Sequence, residues 1–176
     1  MSTLSNFLIQ VGMATATRQY WGPRLWRVFH LMANVSDRRD ISALWRQFLG
    51  LSAAALPCAQ CRGHFTNYLR NNVIIKQSNP LTITGPIFRD SLKTQLRIFH
   101  NTVNLRLGKP IVSADAYKLL YPNRPRQEVL FEVQTVINEI KAAWEPLLHS
   151  SIHPAVYSQW KGVYGSLFHM LASGPQ

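Results

Sequence analysis

Apolar residues return at helical spacing along almost the whole chain, and that periodicity restricts it to an all-α architecture. Ile41, Leu44, Trp45, Phe48 and Leu49 fall at i, i+3, i+4, i+7 and i+8, which puts them on one helical stripe. Leu25, Phe29 and Met32 predict an earlier helix from about Pro23, a residue suited to a first helical turn. Cys61, Phe65, Tyr68 and Leu69 share a third stripe, opened by Pro57. Phe88, Leu92, Leu96, Phe99, Val103 and Leu107 form a long fourth one, stopped by Gly108 and Pro110. A turn-rich break at Tyr121–Pro125 precedes two more stripes. The first carries Leu130, Val133, Ile137, Ile140, Trp144 and Leu147; the second carries Val156, Trp160, Val163, Tyr164, Leu167 and Leu171. Nothing alternates with period two, which argues against a βαβ fold.

These stripes divide the chain into an N-terminal segment (1–19), a four-helix core (20–112) and a helical C-terminal extension (113–176). The extension is expected to pack on the core or in a dimer interface. Asn71 to Pro86 holds the strand-like residues Val73, Ile74, Ile75 and Ile83 among Asn, Ser, Gly and two Pro, and reads as a loop linking helices.

Of the 176 residues 47% are hydrophobic, enough to build one packed core, so a disordered chain is excluded. No run of about 18 apolar residues occurs, so no membrane-spanning helix is expected. The first 20 residues lack both a secretory h-region and an Arg-rich presequence. Nineteen Lys and Arg against eight Asp and Glu give a formal charge of +11, which favours anionic partners. Those cations are scattered rather than massed, which argues against nucleic-acid binding as the main function. Two cysteines cannot staple a secreted scaffold, so the hydrophobic core must hold the fold.

The two cysteines nevertheless carry the chemistry. Pro57-Cys58-Ala59-Gln60-Cys61 places a CxxC pair at a helix start. The helix N-terminus favours a thiolate there, lowering a thiol pKa from about 8.5, and a second thiol nearby can resolve a mixed disulfide. Three other readings stay open: a zinc site with His64, two inert buried cysteines, and a thioredoxin-like dithiol without its βαβ frame. A second cluster runs from His100 to Pro110. His100 and Asn104 share one helix face, and Arg106 and Lys109 add the positive charge that a pyrophosphate needs. A third cluster pairs Trp26 with His30 at i, i+4, a face for a planar ring or for core packing.

In this order the three clusters resemble the Erv/ALR family of FAD-linked sulfhydryl oxidases. The resemblance rests on Gly22…Trp26…His30, on Cys58…Cys61, and on the run His100-Asn101-Thr102-Val103-Asn104-Leu105-Arg106-Leu107-Gly108-Lys109-Pro110. It covers about residues 20–112. It implies a helical bundle holding FAD, with Cys61 next to the flavin and Cys58 open to attack by a dithiol. The implied reaction passes two electrons from a partner dithiol through Cys58 and Cys61 to FAD and on to O2, giving hydrogen peroxide. Implied FAD contacts are Gly22, Arg24, Trp26, His30, His100, Asn101, Val103, Asn104, Arg106, Leu107 and Lys109, with Lys109 at the pyrophosphate. Tyr117 and Tyr121 are candidates to cover the adenine.

The pattern departs from the family in places. Pro23 stands where the family often has Arg, with Arg24 displaced by one, and no shuttle cysteine pair is present. The dithiol partner, a thioredoxin-like protein or small CxxC carrier, must then react directly. The sparse cysteines look like the versions encoded by large DNA viruses, implying the host cytoplasm or virion; the mitochondrial intermembrane space is the alternative. The resemblance also implies a homodimer and no metal. The competing functional reading is a helical adaptor that binds nucleic acid or an acidic partner, with structural cysteines.

Overall fold

The computed structural model describes residues 17–72, 74 and 84–175, and in them seven α-helices and one 3-10 turn form with no strand. The helices are α1 (Arg18–Asn34), α2 (Ser42–Ala55), α3 (Ala59–Asn71), α4 (Gly85–Arg106), α5 (Ala114–Leu120), α6 (Arg126–Trp144) and α7 (Pro154–Ala172), with the 3-10 turn at Glu145–Leu147. The all-α expectation holds. Most of the loop expected over Asn71–Pro86, and nearly all of the 1–19 segment, lie outside the described residues.

Helix α1 begins five residues before Pro23, where the sequence predicts its start. Proline is tolerated there because the one backbone bond it forfeits would go to the carbonyl of Gln19, which is exposed and can turn to water. The short α5 has its own N-cap: the Ser113 hydroxyl accepts from the Ala116 amide at 3.1 Å.

Helix α1 packs against α4 and α6, and α2 packs against α3 and α7. The two helices after residue 125 are thus layered directly on the first two. Trp45, Trp144 and Trp160 are fully buried at this junction with Phe29 and Phe48. Buried indoles need partners, and two have serines: Trp160 Nε1 donates to Ser52 Oγ at 3.0 Å, and Trp45 Nε1 to Ser36 Oγ at 2.9 Å. Arg24 pairs with Glu139 at 2.6 Å and Arg27 with Glu132, so two ion pairs run along the α1–α6 seam.

Arg126, at the start of α6, joins three segments. Its Nη1 donates to the carbonyls of Val35 and Leu171 at 2.8 Å each, and its Nη2 to both carboxylate oxygens of Asp37 at 2.6 and 2.7 Å. Beside it Gly85 opens α4 against the Asp37 backbone; a Cβ there would lie 1.7 Å from the Asp37 carbonyl oxygen. Only glycine permits that approach.

Candidate active site

Only Leu56, Pro57 and Cys58 separate α2 from α3. Cys58 has extended backbone angles and caps α3, its Sγ accepting from the Cys61 amide at 3.1 Å. The two sulfurs are joined as a disulfide. Arg62, one turn into α3, donates to the Leu56 carbonyl at 2.6 Å and to the Ser151 carbonyl at 3.2 Å. The start of the CxxC helix is thereby tied to the turn before α7.

Cys61 lies on the wall of a cavity of about 1040 Å³, at the upper end of the size of small-molecule sites. Cys58 is not part of that wall. The two cysteines therefore have different surroundings: Cys61 meets the cavity, while half-buried Cys58 packs against the core at the α2–α3 corner.

Helices α1, α3 and α4 supply an aromatic lining. Trp26 and Phe65 stack at 6.2 Å, Phe65 meets Phe99 edge-on at 4.7 Å, and Tyr68 stacks on Phe99 at 3.8 Å. The cavity's cations include Arg18, Arg106 and Lys109. Lys109 reaches it because of how α4 ends. Gly108 adopts φ +65°, a region open to glycine, and its N–H donates to the Leu105 carbonyl at 3.1 Å. The Lys109 N–H then closes on the Asn104 carbonyl at 2.8 Å. This Schellman end explains why glycine precedes the lysine. Burial, then Arg18, holds the Arg106 guanidinium below its ordinary pKa, so a charge-neutralising anion would be favoured beside it.

The imidazoles are electrically quiet. Burial, then Lys109, lowers His100 to about 4, and burial with His100 nearby holds His30 well below the usual imidazole range. Both are neutral at physiological pH. His30 Nε2 lies 3.0 Å from His100 Nδ1, and His30 Nδ1 lies 3.1 Å from the Tyr117 hydroxyl.

Of the residues expected at the site, Gly22, Arg24, Trp26, His100, Val103, Asn104, Arg106, Leu107 and Lys109 line the cavity with Cys61. Three others stand elsewhere. Asn101 is turned to the backbone of Val112, its Nδ2 donating to the carbonyl and its Oδ1 accepting from the amide, each at 2.9 Å. It clamps the segment after α4 and is not at the cavity wall. His30 and Tyr117 sit one layer behind His100, both buried, so Tyr117 is not placed to cover a ligand. Tyr121 does line the cavity. Arg24 reaches the wall with its guanidinium already held by Glu139 and the Tyr20 carbonyl.

Trp26 and His30 stack on one face as their spacing predicts, with centroids 5.9 Å and planes 22° apart. His100 lies parallel to Trp26 with centroids 4.3 Å apart and planes 4° apart. A ring inserted between them would need about 7 Å, so the gap between the two rings admits no planar ligand. Sequence reasoning missed Phe65, Tyr68 and Phe99 as wall residues because an apolar stripe marks a buried face without saying whether protein or ligand covers it.

Comparison with known proteins places this geometry in a lineage. The model of the Erv1/Alr family matches residues 23–122. Proteins named FAD-linked sulfhydryl oxidase from African swine fever virus, isolates Pig/Kenya/KEN-50/1950 and Tick/Malawi/Lil 20-1/1983, are each 31% identical over 131 residues, covering 73% of this chain and 98% of theirs. A protein of Invertebrate iridescent virus 6, provisionally named for the same activity, is 32% identical over 95 residues, 52% of this chain and 83% of its own. No solved structure gives a significant match. The family match takes in the CxxC corner, the cation end of the cavity and the helices between them, and on that ground the chain belongs to the Erv1/Alr family.

Proposed function

We propose that the chain is an FAD-dependent thiol oxidase that makes disulfides in a partner protein. The observation that carries this reading is the Cys58–Cys61 disulfide capping α3 with one of its sulfurs' residues, Cys61, on the wall of the large aromatic cavity. The cavity suits FAD on three counts: its volume, its aromatic lining for flat rings, and the Arg18, Arg106 and Lys109 cations for a pyrophosphate. Trp26 and His100 stand on the cavity wall, and the Schellman turn brings Lys109 to the same cavity, where its charge suits a pyrophosphate.

A partner thiolate attacks Cys58 Sγ, breaking the Cys58–Cys61 bond and releasing the Cys61 thiolate at the start of α3, where the helix dipole stabilises it. The partner's second thiolate then displaces Cys58 from the mixed disulfide, leaving the partner oxidised and the CxxC pair reduced. FAD, when bound, would supply the two-electron acceptor for the reduced pair and pass the electrons to O2, with hydrogen peroxide as the product. Cys61, on the cavity wall, is the cysteine of the pair that would meet it.

Both cysteines of the chain belong to this pair, so the partner dithiol reacts with Cys58 directly. The viral relatives favour the host cytoplasm or the virion as the compartment. Among the described residues no helix is long and apolar enough to cross a membrane. A homodimer, the assembly implied by the family resemblance, would use other faces than those of α1 and α2 that α6 and α7 cover.

The decisive experiment is a visible spectrum of the purified protein before and after anaerobic dithiothreitol, then after air. The expected result is an oxidised-flavin band that bleaches and returns. A protein that stays colourless with added FAD would overturn the reading.

A further inference from the structure

The mechanism above leaves two buried polar groups unused, His30 and Tyr117. Tyr117 comes from α5, a seven-residue helix beyond the Gly108 turn, and His30 from α1, so two distant segments converge behind His100. Two atom pairs line up: Tyr117 Oη to His30 Nδ1 at 3.1 Å, and His30 Nε2 to His100 Nδ1 at 3.0 Å. His100 alone of the three reaches the cavity wall.

A neutral imidazole carries one N–H and one bare nitrogen, so such a chain can run in only two directions. If His30 carried its proton on Nδ1, it would donate to Tyr117, and the phenol proton would need another acceptor. His30 Nδ1 is the one hydrogen-bond partner of the Tyr117 hydroxyl among the described residues, and Tyr117 is 6% exposed. A buried O–H without an acceptor is costly. Burial also raises the Tyr117 pKa, keeping the hydroxyl a donor. The phenol therefore donates to His30 Nδ1, His30 Nε2–H donates to His100 Nδ1, and the His100 proton is left on Nε2.

We propose that Tyr117 is a positioning residue which, through His30, fixes His100 in the Nε2–H tautomer, so that His100 presents the cavity with a neutral hydrogen-bond donor rather than an acceptor. The site is then matched to a ligand acceptor atom at that point, and the selection is made two residues away from the ligand. This rests on the flavin reading for the ligand's identity; the tautomer chain itself does not.

The test is long-range proton–nitrogen correlation of the imidazoles in the FAD-loaded protein and after FAD removal, with His64, His149, His153 and His169 replaced by Gln so that only His30 and His100 report. The expected pattern is Nε2–H on both rings. Tyr117→Phe, with its helical circular dichroism checked, is expected to abolish the single tautomer of His30 and to weaken FAD binding about tenfold, the effect of one unsatisfied buried group. Nδ1–H on either ring of the parent protein overturns the proposal, as does a Tyr117→Phe protein with unchanged tautomers or unchanged FAD affinity. Should Tyr117→Phe fail to fold, the parent pattern decides alone. A protein that takes up no FAD defeats the functional reading, while the tautomer pattern still judges the relay.

Discussion

The α1–α3–α4 side and the α2–α7 side are built from the same apolar periodicity and spend it differently. On the α2–α7 side the interior is closed: Trp45, Trp160 and Leu167 are fully buried, and both of those indoles have serine acceptors. On the other side aromatic faces stop short of one another and leave the cavity, with the polar Asn104 and His100 at its edge. A binding site is space that packing has not filled, and unfilled space forgoes contacts. The lesson is a division of labour, with the closed side stabilising a fold whose open side keeps room for a ligand.

Cys61→Ser breaks that comparison most sharply on the open side. Flavin reduction by thiols should fall below detection while FAD stays bound and the unfolding temperature holds, read by anaerobic stopped-flow and by thermal melts. Trp160→Ala is the matching cut on the closed side. It should lower the unfolding free energy by about 3–5 kcal/mol in urea titration, with flavin reduction by thiols intact in the protein that remains folded. Equal loss of both properties in that variant would show the two sides are not separable.

Gly85→Ala tests the seam between them. The added Cβ must push α4 away from Asp37, and about 1–3 kcal/mol of stability should be lost by the same titration. Acid tests the open side through His100. His100 titrates at about 4 folded against about 6.5 unfolded, so between these values the unfolded chain binds the extra proton. Stability should therefore fall as pH drops from about 6.5 towards 4, and His100→Gln should flatten that part of the profile. An unchanged slope in His100→Gln would remove His100 as its source.

What the sequence could reveal follows from what periodicity measures. Stripes such as Phe88 to Leu107 mark one helix and its buried face, and the CxxC and the Gly108–Lys109 stop are local chemistry that spacing alone displays. The start of α1 is not legible in the sequence because Pro23 reads as a first-turn residue, whereas exposed Gln19 lets the helix begin before it. Helix α5 was invisible because seven residues are too few to establish a period. Which helix lies on which is also unreadable from one stripe, so the pairing of α6 with α1 and the position of Tyr117 behind His30 needed the three-dimensional structure. The Asn101 bonds to the Val112 backbone are illegible for a similar reason, since a polar side chain in a motif can serve the ligand or the backbone.

The seam between α1 and α6 also sets a schedule. Arg24 and its partner Glu139 are 115 positions apart. At roughly 5–20 residues per second of synthesis, that separation corresponds to several seconds at least during which α1 has been made and its partner has not. Contacts of such high order close late and slow the folding of a chain. Val136 and Glu139 of that late helix also line the cavity. The pocket walls are thus completed only after most of the chain exists, which makes cofactor capture one of the last events in the protein's maturation.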